Sequence, residues 1–233
     1  MERTRHMEAE PALGLRERKK RALRGELSLA AGRLAKQHGL ENVRTEDIVA
    51  AVGVSRRTFN NYFANKYEAI ADRLVERAQR AAKALRTRPH AEPLWQALTA
   101  AILAPYEDWP GAFKDVPAEE RESTLLVLED PSLRAEMLKG DFTAAQALTQ
   151  AIAERTGTDP NRDLYPGLVA ATAIAALATV RYRWLRDSHP QPWVSMIREA
   201  FGQIERGLPE PARKKRSRTA GHPARKQTLR EGS

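Results

Sequence analysis

Residues 45–66, TEDIVAAVGVSRRTFNNYFANK, constrain the fold more than any other stretch of the chain. They read as two short helices joined by a tight turn. Thr45 suits the N-cap of the first helix, and Glu46 and Asp47 place negative charge at the positive end of its dipole. Ile48, Val49 and Val52 give that helix an apolar face. Gly53 ends it, Val54 can plug the corner, and Ser55 offers an oxygen to the unpaired N–H groups of the second helix.

The second helix is unlike one built for stability alone. Arg56 and Arg57 stand in its first turn, where the dipole disfavours cations. Phe59 and Phe63 lie four apart and anchor one face. Arg56, Arg57, Thr58, Asn60, Asn61 and Tyr62 point elsewhere, and nearly all can hydrogen-bond to bases or phosphates. The pattern is that of the recognition helix of a helix-turn-helix; the bland alternative is two capped helices with a solvated polar face.

Charge separates the chain into three parts. Residues 1–66 carry a net +6, residues 67–207 a net −3 and residues 208–233 a net +6, within a total of +9. A basic head on a mildly acidic body suggests that the head meets a polyanion and the body does not. Apolar residues make up 42%, enough for a packed core. The chain has no cysteine, which leaves out a disulfide framework and a thiolate metal site. The N-terminus lacks the apolar region of a secretion signal, and no apolar run approaches the roughly 20 residues of a membrane span. The expected setting is cytoplasmic and nucleoid-associated, with no membrane partner.

The rest of the chain reads as helix after helix, without a β pattern. Residues 1–14 are expected to be disordered. From about residue 16, Leu23, Leu27, Ala30, Ala31, Leu34 and Ala35 form an apolar stripe, with Arg18, Lys19, Arg21 and Arg24 on the opposite face, either solvated or reaching DNA backbone. After Lys66 a long helix carries Ala69, Ile70, Leu74, Ala78, Ala81 and Leu85 until Pro89 and Pro93. LWQALTAAILAPYEDW is helical up to Pro105, and an irregular segment 109–117 precedes helices near 118–128 and 132–156. LYPGLVAATAIAALATVRYRWLRD is apolar almost all round and should be buried on most sides; WVSMIREAFGQIERGL is a last amphipathic helix. The sum is an all-α fold of about nine helices. It has a helix-turn-helix domain over 15–66 and a larger ligand-binding and dimerisation domain over 67–207. The basic tail 208–233 is expected to be disordered, either solvated or adding DNA affinity.

With this layout the chain resembles the TetR (tetracycline-repressor) family of one-component regulators. The resemblance rests on the TEDIVAAVGVS and RRTFNNYF pair and the NKYEAI entry to the fourth helix, although Val49 and Val52 stand where the family usually has Ala. It implies phosphate contacts from Thr45, Thr58, Tyr62 and Lys66. It implies base-edge contacts from Arg56, Arg57, Asn60 and Asn61, with Ser55 completing the DNA-binding set. Asn60 departs from a commonly aromatic position, and its amide can pair bidentately with adenine. The stretch from DPSLRAEML to the C-terminal helix is similar to the acyl-CoA-like ligand-binding domain of some actinobacterial members, including those of mycofactocin loci. The implied function is a sequence-specific transcriptional regulator, a repressor released from a palindromic operator by a small amphipathic effector, with acyl-CoA-like as the implied class. The alternatives are a ligand-independent regulator and an activator.

A short recognition helix reads only a few base pairs, so two copies on a two-fold axis are expected. Ala171, Ile174, Ala175, Ala178, Ile197, Phe201 and Ile204 are candidates for a homodimer interface, or else the Ala-rich helix is simply a core helix. Bulky residues of the middle helices, Trp95, Leu98, Tyr106, Trp109, Phe113, Leu125, Met137, Phe142, Tyr182 and Trp184, are candidates for a ligand pocket or ordinary core. Arg181, Arg183 and Arg186 could face a ligand's phosphate or carboxylate, or solvent. No catalytic residue, metal site or cofactor is expected: the five histidines are scattered, and no Gly-rich phosphate loop or G-x-S-x-G elbow exists.

Overall fold

The computed structural model describes residues 14–107 and 116–210. The segment 1–13, the basic tail from 211 onward, and the pocket candidates Trp109 and Phe113 lie outside the described residues. Among those described there are nine helices and no strand: α1 (Leu15–His38), α2 (Thr45–Val52), α3 (Arg56–Asn60), α4 (Lys66–Thr87), α5 (Leu94–Glu107), α6 (Ala118–Glu129), α7 (Pro131–Thr156), α8 (Leu164–Arg186) and α9 (Trp193–Glu205).

Local chemistry sets the boundaries of the head, α1 to α3. Gly39 and Gly53 both take positive φ, which only glycine adopts without strain, and so end α1 and α2. At Gly53 the N–H groups of Gly53 and Val54 both reach the Val49 carbonyl, at 2.9 and 3.0 Å, closing the helix. Ser55 caps α3 by accepting the Thr58 N–H at 3.0 Å. Thr45, expected at the N-cap of α2, is its first helical residue instead. Arg44 holds the cap position, and its backbone N–H donates to the Asp47 carboxylate at 2.8 Å. Asn65 caps α4 by accepting the Glu68 N–H at 2.8 Å, and Glu68 returns the bond to the Ala64 N–H at 2.7 Å.

The head is closed by Leu27, Ala30, Ala31, Val43, Ile48, Phe59, Phe63 and Ala69, all buried. A second, larger core joins α4, α5, α7, α8 and α9 around Leu85, Leu98, Leu148, Ile152, Ile197 and Phe201. A third cluster, Ala35, Leu40, Ala71, Val127, Leu133 and Met137, fastens head to body through α1, α4, α6 and α7. α4 runs along α7 as the most extensive helix pair and also packs on α1, so one rigid element touches both head and body.

Three expectations are corrected here. Pro105 does not end α5, which continues to Glu107. α8 is not buried on most sides: Leu164 and Leu168 are 80% and 61% exposed, and Ala171 and Ala175 are also exposed. By length and composition α8 could cross a membrane, contrary to the reading of the sequence; in this fold it lies against α6, α7 and α9. Ile197 and Phe201, expected at a dimer interface, are 0% and 1% exposed within the single chain, where α9 turns its apolar face onto α5 and α8. Ile174, Ala178 and Ile204 are half-buried.

Candidate nucleic-acid interface and internal cavity

α3 is a five-residue helix held from behind and open in front. Phe59 and Phe63 are fully buried with ring centroids 5.7 Å apart. Arg56, Arg57, Asn60 and Asn61 are exposed, while Thr58 and Tyr62 are half-buried. The structure therefore gathers the expected base-reading side chains on one short exposed element. Arg56 reaches back to α2, where its Nη1 donates to Glu46 Oε1 at 2.6 Å. Both partners are well exposed, so this pair contributes little and a nucleic-acid oxygen can displace it. Thr45 is half-buried at the start of α2, and Ser55 is exposed at the start of α3.

Lys66, for which the resemblance implies a phosphate contact, is engaged within the chain. Its Nζ donates to the carbonyls of Leu40 and Val43 at 2.6 and 2.8 Å, tying the start of α4 to the loop that precedes α2. Replacing it with Met, which keeps the stem, removes two partly buried bonds from a charged donor. We expect a loss of about 2 kcal/mol in stability, with little change in the salt dependence of DNA binding. Chemical denaturation and a salt titration of operator affinity check the two halves.

Arg24 is the residue that sequence reasoning placed on the wrong face. Its guanidinium grips Asp72 of α4, with Nη2 to Oδ1 at 2.7 Å and Nε to Oδ1 at 3.0 Å. Its Nη1 donates to the Tyr62 carbonyl at 3.1 Å, and the group lies over the Phe63 ring, 4.5 Å from its centroid. One side chain thus joins α1, the end of the recognition segment and α4. The signal was present: Arg24 precedes Leu27, Ala31 and Ala35 on the same i, i+3, i+7, i+11 row. Burial pushes the Asp72 carboxyl above the usual carboxylate range, against the pull of Arg24.

In the body lies a cavity of about 260 Å³ between α4, α6, α7 and α8, with α1 and the start of α9 at its edges. Tyr106, Met137 and Trp184 line it, as expected. Trp95 does not, because it packs on Phe201 at 5.9 Å between ring centroids. Leu98 is fully buried in the main core, Leu125 packs against that core, and Tyr182 lies outside the lining beside Arg181 and Arg186. Phe142 points outward and is 68% exposed. Trp193, whose ring meets those of Trp184 and Tyr106 at 5.8 and 6.1 Å, completes the aromatic wall and was missed. So were Arg73, Arg77 and Asp141; together with Arg181, read from the sequence as facing either a ligand's acid or solvent, they put charge on an otherwise apolar surface. Burial lowers the pKa of Arg73 and of Arg181 and raises that of Asp141.

Comparison with known proteins follows the same division of head and body. Residues 29–72 match the family model described as bacterial regulatory proteins, tetR family, and residues 92–209 match the MftR C-terminal domain. The chain is 32% identical over 177 residues to the HTH-type transcriptional regulator TcmR of Streptomyces glaucescens, across 73% of this chain and 76% of that one. Among solved structures, the fatty acid degradation regulator FadR from Bacillus halodurans is similar in fold. Its TM-score is 0.51 at 16% identity, over 80% of this chain and 96% of that one. A TetR-family transcriptional regulator from Syntrophomonas wolfei is similar at TM-score 0.52 and 16% identity, over 81% and 95% of the two chains.

Proposed function

Because the chain belongs to the TetR family of bacterial transcriptional regulators, and so is a DNA-binding regulator, we propose that it represses from a palindromic operator and is released by a small amphipathic effector. In this reading α3 enters the major groove. Arg56, Arg57, Asn60 and Asn61 read base edges, while Thr45, Thr58 and Tyr62 meet phosphates and Ser55 holds the helix start. Two copies bring two such helices to successive half-sites. The open stripe of α8, Leu164, Leu168, Ala171 and Ala175, is the surface we assign to the homodimer, since a monomer would expose it. The effector class suggested by resemblance of the C-terminal half is acyl-CoA-like.

One observation carries the regulatory part. On α4, Asp72 is bound to the head through Arg24, while the next residue, Arg73, and then Arg77 and Ala78 line the cavity. A ligand that favours one body conformation therefore moves the element that positions α3. The effect must come from a difference in affinity between the two conformations, since a ligand that binds both equally shifts nothing.

Selection of bound DNA from a random pool tests the proposal. The expected product is an inverted repeat, and a single unrepeated site would overturn the dimeric reading. On that operator, Arg57→Ala should relax preference at one or two positions in each half-site, costing about 1–3 kcal/mol per lost base contact. A uniform loss across all sequences would assign Arg57 to the backbone instead.

A further inference from the structure

Six charged residues line the cavity: Lys36, Arg73, Arg77 and Arg181 against Glu120 and Asp141, a formal excess of two positive charges. Most are accounted for within the chain. Lys36 meets Glu120 at 3.4 Å, Arg73 pairs with Glu76, and Arg77 lies over the Tyr106 ring, 5.3 Å from its centroid. Arg181 is the exception. Its Nε is shut off from solvent without a hydrogen-bond partner among the described residues, and the guanidinium lies 5.7 Å from the Tyr182 ring centroid, with Tyr106 and Arg77 near enough to act on it electrostatically. Asp141 is near enough to influence it electrostatically, but the two form no ion pair within 4 Å. Arg181 is half-buried, but a guanidinium N–H shut off from water is costly unless something accepts from it.

The size of the space limits what that can be. A cavity of 150 Å³ holds a benzene ring, so about 260 Å³ takes roughly ten non-hydrogen atoms. Its walls are otherwise Leu74, Ile102, Leu148, Ile174, Leu177 and aromatic rings. A coenzyme A carrier is several times larger than this space and would have to stay outside it.

We infer that the cavity takes a compact apolar molecule ending in a single acidic group, and that Arg181 holds that end. The acid's oxygens accept from the Arg181 guanidinium. Burial raises the pKa of Asp141, which lessens its repulsion of an acid held by Arg181. This inference rests on reading the cavity as the effector site, and it narrows the effector from an acyl thioester to a free acid.

Calorimetric titration of the full-length protein without DNA tests it, using octanoate, 1-octanol and octanoyl-CoA as probes. Octanoate should bind ten- to a hundredfold more tightly than octanol, about what one charge-assisted pairing gives. Arg181→Met should bring octanoate down to the octanol level, with Arg181→Lys in between because it keeps the charge but loses the fork. Equal affinity for acid and alcohol, or no binding of octanoate, overturns the inference. So does a thioester that binds more tightly than the acid and is indifferent to Arg181→Met. Leu177→Trp, which fills the cavity, should abolish binding of all three probes; octanoate bound undiminished by that variant would show that the cavity itself is not the site. The selection of operator DNA is independent of every one of these outcomes.

Discussion

Replacing Phe59 with Ala is expected to remove operator binding while leaving the body of the protein folded. α3 spans only Arg56–Asn60, far below the length at which a helix holds itself in water. It is a helix because Ser55 caps it and because Phe59 and Phe63, 0% and 1% exposed, pin it to α1, α2 and Ala69. Removing a fully buried phenyl ring costs about 3–5 kcal/mol, a large share of what a small three-helix unit can have. The body core around Leu98, Leu148 and Ile197 shares no residue with the head cluster, so its amides should keep their exchange protection. We expect α2 and α3 to lose protection and operator affinity to fall by more than about a hundredfold. Undiminished binding with unchanged exchange in α3 would show that the helix is not held by this ring.

What could be read in the sequence was local. The helix ends at Gly39 and Gly53, the cap at Ser55 and the inward pair Phe59 and Phe63 follow from residues within a few positions of one another, and all stand in the structure. So does the division into nine helices, since Pro and Gly punctuate an otherwise continuous helical period. The family resemblance drawn from 45–66 and from the C-terminal half falls on the same two stretches that the family models match. Thr45 stands one residue inside its expected cap, where the Asp47 carboxylate accepts the Arg44 N–H.

The misreadings involve partners far away in the chain. Arg24 meets Asp72 across 48 positions, so although its row on α1 showed which way it points, no window of sequence shows its partner. Ile197 and Phe201 show the same difficulty in another form. An amphipathic helix has the same period whether its apolar face turns to its own chain or to a second copy. Choosing pocket residues by bulk separated them only in part: Tyr106, Met137 and Trp184 line the cavity, whereas Trp95 and Leu98 fill space that the main core needs.

The Arg24–Asp72 pair gives the second large effect. Arg24→Ala leaves a carboxylate that is 8% exposed without its cation and leaves the Tyr62 carbonyl without its donor. Breaking a buried pair from one side costs about 3–5 kcal/mol; with Arg24 itself 40% exposed, about 3 kcal/mol is expected here. For a chain of this size that lowers the melting temperature by roughly 10 °C. Asp72→Asn should behave quite differently. It keeps an oxygen for Arg24 and removes the charge that burial penalises, so it should cost less than about 1 kcal/mol. The pH dependence follows from the direction of the Asp72 shift. A carboxyl whose folded pKa lies above its ordinary value of 3.8 binds its proton more readily in the folded state. Wild type should therefore gain stability relative to D72N as pH falls through the folded pKa toward that ordinary value, and should gain nothing further below it. Calorimetric melting of the three proteins across that range checks the sign. If D72N proved as damaging as R24A at neutral pH, the ionised carboxylate would itself be what joins head to body.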